Sequence, residues 1–333
     1  MAESQRLLEN EIRPETLKSE QTAAIEKDRQ FLYGHQSSFR RVDCPACDLP
    51  NESHFAKDGF FYSKCSKCNM IYMSPRPTET ILQEFYAQSA NYQYFNQYIF
   101  PASAEARRQK IFIPRVNRTI ELCEIHGAGR NHLLEVGAGF GLFCEEMHKR
   151  SFFERISAVE ATQALSGTLA RKKIEVFNDL FERIVFENQF DVVVAFEVIE
   201  HITNPFRHLK KAHDVLKDKG LLILSFPNCD GFDIATLGKS SDSIDHEHLN
   251  YFNSVSITRL LNKAGFSIAS IETPGKLDVE LVRKKILCGQ YRPNNFIRSL
   301  CIHRFDELGE TFQQFLSAHN LSSHMVVAAI KEC

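Results

Sequence analysis

The chain has 333 residues, 43% hydrophobic and 25% charged, enough for one large domain or for a large domain with a small module attached. Those proportions exclude a disordered or fibrous class, and a formal net charge of −2 supplies no general field to attract nucleic acid or an anionic membrane. No apolar run approaches the roughly 18 residues of a membrane span, and the acidic start MAESQRLLEN is unlike a secretory leader. The expectation is a cytoplasmic protein with no membrane span and with reduced or metal-bound thiols.

Residues 1–41 scatter Leu7, Leu8, Ile12, Leu17, Ile25, Phe31 and Leu32 among charges and read as a helical arm. Residues 42–77 change character. Here Cys44-x2-Cys47 and Cys65-x2-Cys68 flank the aromatic run Gly59–Tyr62, which suits a strand of a small hairpin. Two such pairs at this separation have the spacing of a zinc ribbon, and four thiolates on two tight turns can close a tetrahedron. A closed four-cysteine shell has no open position, so the zinc would be structural. The other six cysteines, Cys123, Cys144, Cys229, Cys288, Cys301 and Cys333, are scattered and read as core or surface residues. Residues 78–128 carry helical stretches at 81–86 and 107–110 and read as a helical linker or cap.

From 129 to 333 apolar strand-like runs alternate with amphipathic stretches: HLLEV, 142–150, RISAVE, 162–171, KIEVF, FDVVVAF, 205–217 and LLILSF. Alternation of this kind predicts βαβ units, hence an α/β fold whose mostly parallel, doubly wound sheet carries helices on both faces. SIASIET (267–273) and MVVAAI (325–330) bring the expected strands to seven. Between them, about 275–322 is too long for a bare loop and reads as a helical insertion, with helices expected at 278–287 and 305–318.

The first of these strands runs into Glu135-Val136-Gly137-Ala138-Gly139-Phe140-Gly141 and then a helix. Glycines there let the backbone turn sharply and approach a ligand beside the free N–H groups of a helix start. The next strand ends in Glu160, where a carboxylate can accept both ribose hydroxyls of a nucleoside. A dinucleotide and S-adenosylmethionine both fit, but the dinucleotide pattern is G-x-G-x-x-G, and here the third glycine comes one residue early. The spacing favours S-adenosylmethionine.

After FDVVVAF comes Glu197-Val198-Ile199-Glu200-His201, at the carboxyl end of a central strand, where open α/β sheets gather their chemistry. A helix beginning there would put 197, 200 and 201 on one face, and two carboxylates with an imidazole can hold a divalent ion such as Mg²⁺. Downstream, Asp245-His246-Glu247-His248 offers two further imidazoles; His248 is chosen as the one nearer Tyr251-Phe252. A metal at Glu197, Glu200, His201 and His248 would hold two substrate oxygens and lower the pKa of the one to be methylated. Without a metal, His201 or His248 serves as general base.

The segments LLEVGAGFG, FDVVVAFEVIEHI and LLILSFPN closely resemble the Rossmann-like class I methyltransferases over roughly 130–272. The resemblance implies that Glu135, Gly137, Gly139, Gly141, Glu160, Asp179 and Phe196 surround S-adenosylmethionine. Gly137 and Gly139 would then face its methionine end, Glu160 its ribose, and Asp179 its adenine. The ExxEH pattern is similar to metal sites of small-RNA 2′-O-methyltransferases and of ubiquinone-pathway O-methyltransferases. The segments CPACDLP…FFYSKCSKCNMIYMSPRPT, DHEHLNYF and NLSSHMVVAAIK resemble bacterial methyltransferases of sugar and polysaccharide pathways. Some of those relatives methylate carbon, but they carry a longer C-terminal domain than this chain has. The reading that follows is O-methylation of a hydroxylated small molecule, a sugar or glycan. Its rivals are RNA methylation, against which stand the net charge and a ribbon region with few arginines beyond Arg40, Arg41 and Arg76; sugar C-methylation; and a non-catalytic cofactor-binding scaffold.

Overall fold

The computed structural model describes residues 7–50, 52–171 and 174–332. The first six residues of the expected arm, Lys173 of the expected strand KIEVF, and Cys333 lie outside them.

A long helix, α1 (Lys18–His35), packs on a small antiparallel meander of β1 (Ser53–Lys57), β2 (Phe60–Lys64) and β3 (Ile71–Met73). Asp58 and Gly59 both have positive φ, 48° and 74°, as a two-residue hairpin turn with the strands' own twist requires. Tyr33 of α1 donates to the Asp58 carbonyl at 2.9 Å, and Arg29 pairs with the Asp58 carboxylate at 2.7 Å, so the arm is seated on the turn. The four cysteines stand on the two loops at one end of this meander.

Eight further strands follow: β4 (His132–Val136), β5 (Arg155–Val159), β6 (Glu175–Phe177), β7 (Phe190–Phe196), β8 (Leu216–Pro227), β9 (Asn250–Tyr251), β10 (Phe266–Glu272) and β11 (His324–Lys331). Seven form one sheet in the order β10-β11-β8-β7-β4-β5-β6; neighbours from β8 to β6 are parallel and β11 runs antiparallel to both of its neighbours. All seven residues of β7 are buried and all but Asp191 are apolar, as a strand covered on both faces needs. The chain leaves β4 in one direction through β5 and β6 and returns to its other side with β7 and β8. A crevice therefore opens beyond the carboxyl ends of β4 and β7. The fold is the Rossmann-like α/β arrangement expected, with helices Asp278–Leu287 and Phe305–Ala318 between β10 and β11.

Strand β9 does not join this sheet. It pairs with β3, through Ile71 with Tyr251 and Tyr72 with Asn250, and makes the meander four-stranded. Beneath that junction Arg76, 2% exposed, donates to the carbonyls of Met73, Leu249 and Thr203 and to Asn250 Oδ1, at 3.0–3.3 Å. Burial lowers its pKa to about 10, which still leaves it charged at neutral pH. Arg76 thus ties the cysteine-bearing segment to β9 and to the loop after β7 and is not available on a nucleic-acid-facing surface.

Candidate functional site

The loop after β4 is set by close approach. Gly137 has φ 73°, and a Cβ there would stand 2.6 Å from Val198 Cγ2, so the segment after β7 packs directly on this loop. Gly139 has φ 55° with open space where its side chain would be, which leaves backbone exposed to a ligand. Gly141 closes the turn, donating to the Ala138 carbonyl at 2.9 Å, and precedes helix Leu142–Arg150. At the strand's end Glu135 is buried, with the Cys144 thiol donating to Oε2 at 2.9 Å; burial raises its pKa to about 8.

Glu160 follows β5 and accepts two backbone N–H groups, one per oxygen: Gly139 on Oε2 and Thr162 on Oε1, both at 2.8 Å. Its carboxylate is fixed at the rim of the crevice and keeps lone pairs for hydroxyl donors. Asp179 is exposed, accepts from the Leu180 N–H at 2.7 Å and lies 4.0 Å from Arg183.

Residues 79–126 form a roof. Phe100 stacks on Phe140 with centroids 3.6 Å apart, and the guanidinium of Arg115 lies 4.4 Å over the ring of Phe196. Tyr92 sits against Glu160 and Thr162; burial, then the Glu160 charge, push its phenol pKa up. These three contacts enclose the carboxyl ends of β4, β5 and β7.

The shared helical face expected for 197, 200 and 201 does not form. Glu197 has φ 56°, outside any helix, and only a 3₁₀ turn covers Ile199–His201. The Glu197 carboxylate turns toward the neighbouring strands, where it accepts from Ser225 and meets His324 Nε2 at 2.8 Å and Arg115 at 3.7 Å. Burial opposes its ionisation, but the charges of His324 and Arg115 and the Ser225 hydroxyl outweigh that and hold its pKa well below the usual range.

Glu200, His201 and His248 do come together, each offering a ligand atom within 4.8 Å of the others. Glu200 is fully buried and neither carboxylate oxygen has a hydrogen-bond partner. Burial and the nearby Glu197 charge raise its pKa well above normal. His201 Nδ1 faces the Glu247 carbonyl and the Tyr86 hydroxyl, both at 3.0 Å, and His248 Nδ1 faces the Ser243 carbonyl at 3.1 Å. Carbonyls only accept, so each Nδ1 carries the proton and each Nε2 presents a lone pair. The two rings stand 4.7 Å apart, and burial, then His248, lower the His201 pKa to about 4. The arrangement is a carboxyl and two imidazoles, able to take a proton or to hold a cation. His246 belongs elsewhere, packed against Phe60 and Phe85.

The chain matches the family model described as a methyltransferase domain over residues 104–271, just over half its length. The chain belongs to that family. It is 33% identical over 107 residues to a ubiquinone biosynthesis O-methyltransferase of Ruegeria pomeroyi, covering 29% of this chain and 41% of that one. It is 27% identical over 165 residues to the protein so named in Rhodopseudomonas palustris, covering 46% and 58%. It therefore spans about half the length of the curated relatives it matches. Among solved structures it is similar to S-adenosylmethionine-dependent methyltransferases of Clostridium acetobutylicum and Thermotoga maritima. The first shows TM-score 0.44 and 9% identity over 66% of this chain and 91% of that one; the second 0.45 and 17% over 72% and 98%. No helix of the described residues is long and apolar enough to cross a membrane.

In the methyltransferase, Cys44, Cys47, Cys65 and Cys68 lie with their sulfurs within 4.8 Å of one another. Each pair flanks a turn closed by backbone N–H groups, Asp48 onto the Cys44 carbonyl at 2.8 Å and Asn69 onto that of Cys65 at 2.9 Å. Burial and its sulfur neighbours push the Cys47 thiol up to about 12. Four such thiols packed together are an arrangement a cation would relieve. Tyr86, Tyr92, Arg115 and His324 escaped the sequence reading as site residues, because each reaches the crevice from a helix or strand far along the chain; His324 lay within the quoted NLSSHMVVAAIK segment without being singled out.

Proposed function

We propose that the methyltransferase transfers a methyl group to oxygen on a hydroxylated small molecule, a sugar or glycan, bound against Glu200, His201 and His248. The observation that carries this is the pair of imidazoles of His201 and His248, each with Nδ1 on a carbonyl, gathered within 4.8 Å of the unpartnered Glu200 carboxyl, two residues beyond Val198, which packs on Gly137. The names of the curated relatives support oxygen as the acceptor atom.

S-adenosylmethionine supplies an electrophilic methyl when bound. Glu160 would hold its ribose hydroxyls, the Gly137–Gly139 backbone its methionine end and Phe196 the wall between them, with Glu135 and Gly141 shaping the loop. The roof over Phe140 and Glu160 excludes water and fixes the approach, the main contribution for a group already reactive. His248 or His201 accepts the acceptor's proton at Nε2. A divalent ion would be held by the same two Nε2 atoms and a Glu200 oxygen and would supply Lewis acidity; two imidazoles and one carboxylate suit a transition metal better than Mg²⁺. Zinc would be held by the four cysteines, a closed structural site.

The test is turnover of methyl-¹³C S-adenosylmethionine against nucleotide sugars, free sugars and glycans, with added Mg²⁺, Mn²⁺ or Zn²⁺ or with chelator. An O-methyl resonance on one of these acceptors supports the reading. Label on carbon or in RNA overturns it, and rates indifferent to every metal and to chelator leave the two histidines as bases without a metal.

A further inference from the structure

Beyond the loop that carries His248 lies a second group of ionisable side chains that nothing above employs. Asp28 on α1, His246 and Glu247 each offer one ligand atom within 4.8 Å of the others. His246 is 4% exposed, and neither of its ring nitrogens has a hydrogen-bond partner. A buried imidazole nitrogen without a partner is destabilising, and here it stands beside two carboxylates.

Both carboxylates are already aimed by donors. Asp28, 3% exposed, accepts from Ser89 Oγ at 2.6 Å and from the backbone N–H groups of Ala90 and Asn91 at 2.7 and 3.0 Å. Glu247 accepts from Asn91 Nδ2 at 2.9 Å. Each keeps lone pairs beyond those bonds. Ligating carboxylates held by outer donors are the usual surround of a metal site, and the His246 imidazole beside them has both nitrogens free to bind.

We propose that Asp28, His246 and Glu247 are one face of a further, buried site for a divalent transition-metal ion, of the Zn²⁺, Co²⁺ or Mn²⁺ type. One nitrogen and two oxygen donors suit such an ion, whereas Ca²⁺ and Mg²⁺ favour oxygen alone. The site is separate from the four cysteines and from Glu200, His201 and His248, and does not depend on whether those bind metal. Its ion joins three segments: the long N-terminal helix, the turn at 89–91 and the loop 245–248. Because the Glu247 carbonyl holds His201 Nδ1 at 3.0 Å, loading this site positions His201 from behind.

The experiment is calorimetric titration of Co²⁺ into the full-length protein with its cysteines already loaded with zinc, in a Glu200→Gln background that disables the other imidazole cluster. One equivalent of Co²⁺ is expected, with a weak visible spectrum free of thiolate charge transfer. Asp28→Asn and Glu247→Gln, which keep the size and most of the hydrogen bonds, should each weaken binding at least tenfold, and His246→Ala should abolish it. No Co²⁺ uptake by the Glu200→Gln protein, or uptake that Asp28→Asn and Glu247→Gln leave unchanged, overturns the proposal.

Discussion

Gly139 donates its backbone N–H to Glu160 Oε2 at 2.8 Å, and this bond joins the loop after β4 to the end of β5. Because Thr162 takes the other oxygen at 2.8 Å, the carboxylate cannot swing away when the crevice is open. A cofactor ribose meets it already in place.

Glu160→Gln should therefore weaken S-adenosylhomocysteine binding by about tenfold to a hundredfold, the worth of roughly 1.5–3 kcal/mol for hydrogen bonds to a charged group. Melting temperature should change little, since the amide oxygen still accepts one of the two N–H groups. Calorimetry of cofactor binding beside a thermal melt separates the two quantities.

Gly137→Ala and Gly139→Ala should differ. Both place a Cβ on a left-handed residue, but at Gly137 it also meets Val198 Cγ2 at 2.6 Å, whereas at Gly139 it enters open space. The first should cost about 1–3 kcal/mol of overpacking beyond the backbone strain. The second should lose only the strain, about 1–2 kcal/mol, while cofactor affinity collapses because the methyl occupies the approach to the backbone. Denaturant melts and cofactor titration on both variants check this.

Glu135 gives a pH signature in the cofactor-free protein. Its folded pKa of about 8 lies above the ordinary carboxyl value of 4.5, so the folded chain holds the extra proton. That contribution to stability is full below about pH 4.5 and is lost as pH rises through about 8. Glu135→Gln, which cannot ionise, should lose less stability than the parent between pH 6 and pH 9, read from urea midpoints at each pH.

Much of this was legible in the sequence because the signals were local. Strands β4 and β7, the glycine turn, and the insertion helices at 278–287 and 305–318 fell where periodicity put them, since buried parallel strands and amphipathic helices carry their pattern within a few residues. The reading of 197–201 as one helical face went astray because Glu197 adopts φ 56°, a conformation unfavourable for a glutamate in isolation and held by tertiary bonds to Ser225, His324 and Arg115. Equally hidden was the pairing of Asn250–Tyr251 with the cysteine meander, a contact between segments some 180 residues apart. No window of sequence contains both partners.

That pairing makes Arg76 a sensitive position. Arg76→Ala would leave the Thr203 carbonyl and the buried Asn250 amide oxygen without their Arg76 donor and would remove one of the two donors to the Leu249 carbonyl, which keeps the Met73 N–H. Each such loss costs about 1–3 kcal/mol, so the variant should melt well below the parent and expose the cysteine loops to thiol reagents faster. A melt and a thiol-modification time course measure both.

The account turns on His248 beside His201 and Glu200. The most direct measurement is methyl transfer and S-adenosylhomocysteine affinity determined together for His248→Ala. Transfer to the acceptor should fall by about a hundredfold to ten-thousandfold, the range of a positioned acid–base group, with cofactor affinity unchanged. Transfer at the parental rate would contradict the assignment of this cluster as the acceptor site.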